Sequence, residues 1–326
     1  MMYKRFWEFG GWRLVMAYVR MGLLPVAFRQ LLRVCMGKAK VPEAYWQIRK
    51  QIDPMLRRKY QSQIKTLKQQ YDAAVLPRNR SNKIWFCWLQ GMEHAPELVL
   101  CCYNSLRCYV KEKEIIVVTL DNYSKYVDIP PYIMDKYRKK RIPNALFSDI
   151  LRLELLIKYG GTWIDATVLC TGSNYPPELL DCDLFMYHVT NKEGKFAGAS
   201  NWFITACSNN KLLMVLRDVL YLYWKDMDCV IEYYIFHVLF YGVAMEYPDE
   251  IAAMPEASYK HALMLGNRIA EDYDETWMQK QIAVTWFHKL NYRKDQEARR
   301  NHDSYYMSIL NRWLQADYQQ QKKGLS

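Results

Sequence analysis

The stretch Ile142–Gly172, IPNALFSDILRLELLIKYGGTWIDATVLCTG, restricts the possible folds of this 326-residue chain more than any other. Pro143 and Asn144 give a helix start, and Leu146, Ile150, Leu153, Leu156 and Ile157 supply the apolar packing surface of a helix over Asn144–Tyr159. Gly160 and Gly161 stop that helix and turn the chain. Thr162–Leu169 then has the buried, apolar character of a strand. A helix that enters a buried strand through two glycines belongs to an α/β layer structure.

The same alternation recurs on both sides. KIWFCWL (Lys83–Leu89) and EIIVVTL (Glu114–Leu120) read as strands, with a helix near Pro96–Tyr109 between them and a proline-rich connection through Pro130 and Pro131 after them. Asp183–His188 reads as a further strand. Buried strands alternating with helices predict a Rossmann-like, mostly parallel sheet. Beyond it the chain becomes mainly helical, over Asn210–Lys225 and Val230–Ala244.

Charge separates the start of the chain from the rest. Residues 1–80 hold 17 Lys or Arg against four Asp or Glu, +13, while the remaining residues hold 28 against 30, −2, which gives the net +11. Within Met1–Gly37, Phe6, Trp7, Trp12, Phe28 and Leu31 recur at helix-compatible spacing among Arg13, Arg20, Arg29 and Arg33. This suits a helix lying among anionic headgroups; the alternative is a helical hairpin turned at Gly22–Pro25, packed on the body with its arginines in water. Val41–Tyr71 continues as a long polar helix, a linker or an arm, with Tyr45, Ile48, Ile52, Leu56, Ile64 and Leu67 as its apolar stripe. Residues 1–80 therefore read as a basic amphipathic arm and 81–326 as a near-neutral α/β body with a helical C-terminal part. Nucleic acid is not the expected partner, because the arm's aromatics sit among aliphatics and not between cations along a groove. Nine cysteines, an odd number without a CxxC pair, fit free thiols in a reducing compartment. The expected location is cytoplasmic, peripheral on the inner face of the cell membrane through residues 1–40.

Two groups of side chains carry chemistry. Asp149 and Arg152, three apart, share one helix face; together they can bind hydroxyls and an anion, or form a salt bridge. In the following strand the period of two puts Trp163, Asp165 and Thr167 on one side. A carboxylate at the exit of a buried strand costs several kcal/mol if left without a partner. A metal, a backbone turn or Arg152 would satisfy it, and ligands of open parallel sheets bind at the carboxyl ends of strands.

SDILRLELLIKYGGTWIDATV resembles the sugar-binding region of glycosyltransferases with a DXD motif, specifically the capsular polysaccharide synthesis proteins, with the Och1-like mannosyltransferases and the clostridial glucosylating toxins as relatives. The resemblance implies a GT-A type fold and a nucleotide-diphosphate sugar as donor. It implies that Asp149 and Arg152 contact the donor sugar, that Trp163 stacks on the base, and that Asp165 holds a divalent cation, Mn²⁺ or Mg²⁺, on the diphosphate. DAT replaces DXD here, so Thr167 brings a hydroxyl and no charge. Three further stretches extend the resemblance over residues 80–295. KIWFCWLQG, with Trp85, looks like the opening strand that meets the nucleoside. SNWF, with Asn201 and Trp202, and YWKDMDCVIEYYIFH, with Glu232 and His237, look like acceptor-side helices. WFHKLNYR looks like a late motif in which His288 joins the metal and Lys289 approaches the diphosphate. Packing alternatives stand beside these: His237 as a core histidine, Glu232 paired with a nearby base, SNWF as core. The resemblance also implies retention of anomeric configuration and an acceptor that is a lipid-linked surface glycan such as capsule or O-antigen. The alternatives are a silent relative that only binds nucleotide sugars and a nucleic-acid- or partner-binding protein that uses the basic arm.

Overall fold

The computed structural model describes residues 11–292 and 295–323, the side chains of 41, 42, 45, 295, 296 and 315–323 excepted. Phe6, Trp7 and Arg293 lie outside the described residues. The chain forms two compact units, one from residues 1–76, 128–154 and 211–248, the other from 77–127, 155–210 and 249–326.

The second unit holds the sheet. Its five strands are β1 (Lys83–Cys87), β2 (Glu114–Val118), β3 (Gly161–Asp165), β5 (Leu184–Thr190) and β6 (Phe196–Ala206), in the order β2-β1-β3-β6-β5. β1 pairs in parallel with β2 and β3, and β6 runs antiparallel to both β3 and β5, so four of the five strands point the same way. This is the mostly parallel α/β sheet that the sequence predicts. Alternate strand residues feed one face: Ile84, Phe86, Ile164, Phe185 and Phe203 join a single buried cluster. Gly161, at φ +94°, sits where a Cβ would lie 2.3 Å from the Lys83 carbonyl oxygen. Only glycine lets β3 start this close to β1.

Two differences from the sequence reading bear on the site. The predicted single strand Thr162–Leu169 is broken by a turn at Ala166 and Thr167; the remainder, β4 (Val168–Cys170), leaves the main sheet and pairs antiparallel with β7 (Phe287–Lys289). SNWF lies in β6 and not in a helix. The signal for that strand is the turn before it, where the Asn191 side-chain oxygen accepts from the Glu193 and Lys195 amides, both at 2.9 Å.

The first unit is helical. α1 (Gly11–Arg20) and α2 (Leu24–Cys35) form a hairpin turned at Gly22, which takes φ +67°. α3 (Val41–Ala73) buries Ile52, Leu56, Tyr60 and Ile64 against α7 (Lys211–Asp226) and α8 (Ile235–Ala244). Tyr60 donates to Asp226 at 3.0 Å and Tyr71 to Asp218 at 2.6 Å, while the Arg57 guanidinium lies 4.7 Å over the Tyr241 ring. The long helix is therefore packed along its length and is not a free linker. Trp12, Met16, Phe28, Leu31 and Leu32 are exposed along the hairpin, with Arg13, Arg20, Arg29 and Arg33 exposed among them. Among the described residues no helix is long and apolar enough to cross a membrane.

Candidate active site

At the carboxyl ends of the central strands, Val118, Cys87 and Asp165 stand in register. Asp165 is the last residue of β3, and its carboxylate is held from two sides. The Trp163 indole N–H donates to Oδ1 at 2.8 Å, and the Lys289 ammonium donates to Oδ2 at 2.8 Å. The same ammonium donates to Thr167 Oγ1 at 2.7 Å. The turn between β3 and β4 thus brings the D and the T of DAT to one cation, supplied 122 residues further along the chain.

Lys289 is placed by backbone. It faces Val168 across the β4–β7 pair, and the Leu290 amide donates to the Thr167 carbonyl at 2.8 Å. The helix α10 (Tyr259–Asn267), counted after α9 (Pro248–Ala252), runs so close behind that a Cβ on Gly266 would lie 2.3 Å from the Lys289 carbonyl oxygen. A lysine there reaches Asp165 and Thr167 with its side chain still about a quarter exposed.

His288 does not join this cluster. Neighbouring strand residues point to opposite faces, and its Nε2 pairs with Thr171 Oγ1 at 3.0 Å in a fully buried position. Burial, which penalises the imidazolium, lowers its pKa to about 3. Trp163 is also buried, so its ring has no face open to a base; its indole instead orients Asp165. Trp85 lies wholly in the core, donating to the Gly160 carbonyl at 2.9 Å with Tyr126 and Tyr159 beside its ring. The aromatic just past the end of β1 is Trp88. It meets Tyr292 edge-on at 5.8 Å, and its buried indole N–H has no partner among the described residues. Sequence reading passed over Trp88 and Tyr292. Their signal is position, one residue past β1 and three past Lys289.

The remaining predicted residues are divided between the two units. Asp149 and Arg152 form a buried ion pair on α6 (Asn144–Tyr159) in the first unit, with the Arg152 guanidinium 5.6 Å over the Phe236 ring. Glu232 is fully buried, 3.3 Å from the Arg49 guanidinium, and accepts from the Tyr234 amide at 2.8 Å. His237 stands on α8 between Tyr234 and Phe236, edge-on to both rings. Asn201 and Trp202 lie on β6 in the second unit, where the Trp202 ring stacks on Tyr187 at 4.6 Å. Tyr187 in turn lines a groove of about 500 Å³ with His188, Thr190, Glu256, Thr285 and Trp286. The partly exposed Trp286 ring among hydroxyl, imidazole and carboxylate groups suits a sugar ring. Trp202 backs its wall, and Trp286 opens the run that ends at Lys289.

The donor set at Asp165 does not fit a divalent cation. One carboxylate and one hydroxyl converge there, and the ammonium of Lys289 already bridges them. Oxygen-loving divalent ions are held by several oxygens, usually with more than one carboxylate. Among the described residues no group of three His, Cys, Asp or Glu is arranged to hold a metal.

A family model described as capsular polysaccharide synthesis protein matches residues 36–309. Among solved structures, one described as "PaToxG Glycosyltransferase" resembles the chain with a TM-score of 0.37 and 13% identity, covering 79% of this chain and 97% of that one. No curated protein matches significantly.

Proposed function

The chain belongs to the capsular polysaccharide synthesis protein family and, as a member of it, is a glycosyltransferase; we propose that it moves a sugar from a nucleotide-diphosphate donor to a hydroxyl of a surface glycan. The observation that carries this reading is the cluster of Asp165, Thr167 and Lys289 at the carboxyl ends of β1 and β3, where α/β sheets bind their ligands.

Breaking the bond between the anomeric carbon and the donor oxygen sends an electron pair to the diphosphate, so the reaction needs positive charge at that oxygen. Lys289 offers it, held in place by Asp165, which Trp163 orients. Trp88 and Tyr292 flank the same strand end and offer aromatic surface and an N–H donor to the nucleoside. The sugar-contacting role of Asp149 and Arg152 rests on the resemblance alone, as does retention of configuration. The groove lined by Tyr187, His188, Glu256 and Trp286 is our candidate for the acceptor ring. Glu232 reads best as the structural partner of Arg49. The exposed hairpin, with its arginines, supports contact with an anionic membrane face, and that in turn suits a lipid-linked acceptor.

The test is a panel of UDP and GDP sugars incubated with the full chain, scored for release of nucleoside diphosphate and for transfer to glycan acceptors. At least one donor is expected to be turned over, and Trp286→Ala should raise the acceptor KM while leaving donor hydrolysis unchanged. Turnover of no donor would point to the silent, nucleotide-binding alternative.

A further inference from the structure

We propose that Lys289 is the built-in cation of the donor site, so that the diphosphate is bound and its departure assisted without a divalent metal ion. The proposal rests on reading this cluster as the diphosphate end of a transferase site.

Charge balance is the first argument. A two-acid motif with a divalent ion sums to zero, and so does one carboxylate with one ammonium. The change from DXD to DAT removes one negative charge and leaves Asp165 and Lys289 neutral as a pair. Before a diphosphate arrives, a divalent ion added here would stand beside an ammonium with one carboxylate shared between them, a repulsion that grows where water is scarce.

Position is the second. Lys289 Nζ lies 2.8 Å from Asp165 Oδ2 and 2.7 Å from Thr167 Oγ1. An ion bound by both oxygens would have to take its place. The lysine is not a loose surface chain that happened to fold over the acid, since β7, its pairing with β4 and the close pass of Gly266 all fix its backbone. The imidazole that could have supplemented the acid, His288, is buried on the other face of β7 and bonded to Thr171.

Capacity is the third. An ammonium has three N–H donors. Two are used on Asp165 and Thr167, and the third has no partner among the described residues while the side chain stays partly exposed. It can donate to a diphosphate oxygen. In the step itself the bond from the anomeric carbon to the diphosphate oxygen breaks and its electron pair goes to that oxygen. The acceptor hydroxyl oxygen bonds the carbon, and its proton leaves with the released diphosphate. Lys289 keeps all its protons and contributes charge and a hydrogen bond.

Calorimetric titration of the whole 326-residue wild-type chain with UDP and with GDP, once in excess EDTA and once with added Mn²⁺, tests the proposal. Binding in EDTA that Mn²⁺ improves less than about threefold, and that Lys289→Met weakens about ten- to a hundredfold, is the expected result. The paramagnetic signal of Mn²⁺ alone, titrated with the protein without nucleotide, should be unattenuated. Binding that EDTA abolishes and Mn²⁺ restores, or stoichiometric uptake of Mn²⁺ lost in Asp165→Asn, would overturn the proposal and leave the transferase reading standing. Binding to neither nucleotide under either condition would overturn both. The wild-type titrations need no variant, so the proposal stands or falls on them even where the Lys289→Met protein fails to fold.

Discussion

Asp165 is a small residue in a demanding place: its carboxylate ends a buried strand and is satisfied by an indole and an ammonium from different parts of the chain. Asp165→Asn keeps the side-chain shape but removes the charge that anchors Lys289. We expect donor turnover to fall by about a hundredfold or more, with an unchanged circular dichroism spectrum; retained turnover would sink the role given to the pair. His288 makes a separate prediction. Its folded pKa of about 3 lies below the usual 6.5, so as pH falls below about 6.5 the unfolded chain gains a proton that the folded chain refuses until about pH 3. Stability therefore declines through that window on acidification, by at most about 1.4 kcal/mol per pH unit. His288→Gln, which can still bond Thr171, should flatten that decline when urea midpoints are measured against pH. At this scale the sequence named Asp165, Thr167, Lys289 and His288, because a carboxylate leaving a buried strand and a histidine–lysine pair stand out as types. It could not say which of His288 and Lys289 would face the acid, since that depends on the register of β7 with β4, set by backbone bonds between segments more than a hundred residues apart. Trp163 shows the same limit: an aromatic beside an acid reads equally as a stacking surface or as a donor to it.

Elements were more legible where their signals are local. The helix ending at Gly160, the strands β1 and β2 and the hairpin of α1 and α2 follow from apolar spacing and from glycine. The break between β3 and β4 did not, because Ala166 and Thr167 carry no turn signature and the apolar run simply continues through them. β6 was hidden for another reason: its first half, FAGAS, is mostly Ala, Gly and Ser, which are weak strand formers, and a strand of that kind is held by its neighbours rather than by propensity. Likewise the stripe on α3 told which face is buried but not that α7 and α8 cover it. That packing changes how the arm must be tested, since cutting the chain near residue 80 would remove α3 from a helical unit it helps to build. Point changes on the hairpin avoid this. Phe28 and Leu31 are 60% and 55% exposed, so Phe28→Glu with Leu31→Glu should leave the fold intact. If these side chains enter the headgroup layer, each is worth about 1.5–3 kcal/mol of burial. The double variant should then sediment with anionic vesicles at least about a hundredfold less well; equal sedimentation would place membrane contact elsewhere.

Across the whole molecule, the first unit collects residues 1–76 with two later segments, 128–154 and 211–248. Periodicity shows that a face is buried without naming its partner, and long-range returns of this kind leave no trace in local pattern. Charge, by contrast, is additive and was readable from the outset: residues 1–80 carry more than the whole of the net positive charge, and the rest is close to neutral. Hence the long-range field of the protein is that of its N-terminal segment. Arg13, Arg20, Arg29 and Arg33 are exposed on the hairpin beside the apolar residues, and each cation near an anionic leaflet contributes about 1 kcal/mol at physiological salt. Binding of the full chain to vesicles rich in anionic lipid should therefore weaken steeply as salt rises, since screening shortens the reach of such charges to a few ångströms. The residual binding at high salt should match that to neutral vesicles, where only the aromatic and aliphatic side chains act. Donor hydrolysis, measured in the same buffers without lipid, should vary far less, because Asp165 and Lys289 are in contact and short pairs are screened least. If vesicle binding ignored salt while hydrolysis followed it, the basic segment would be serving the donor and not the membrane, and the division of labour drawn from the charge pattern would have to be reversed.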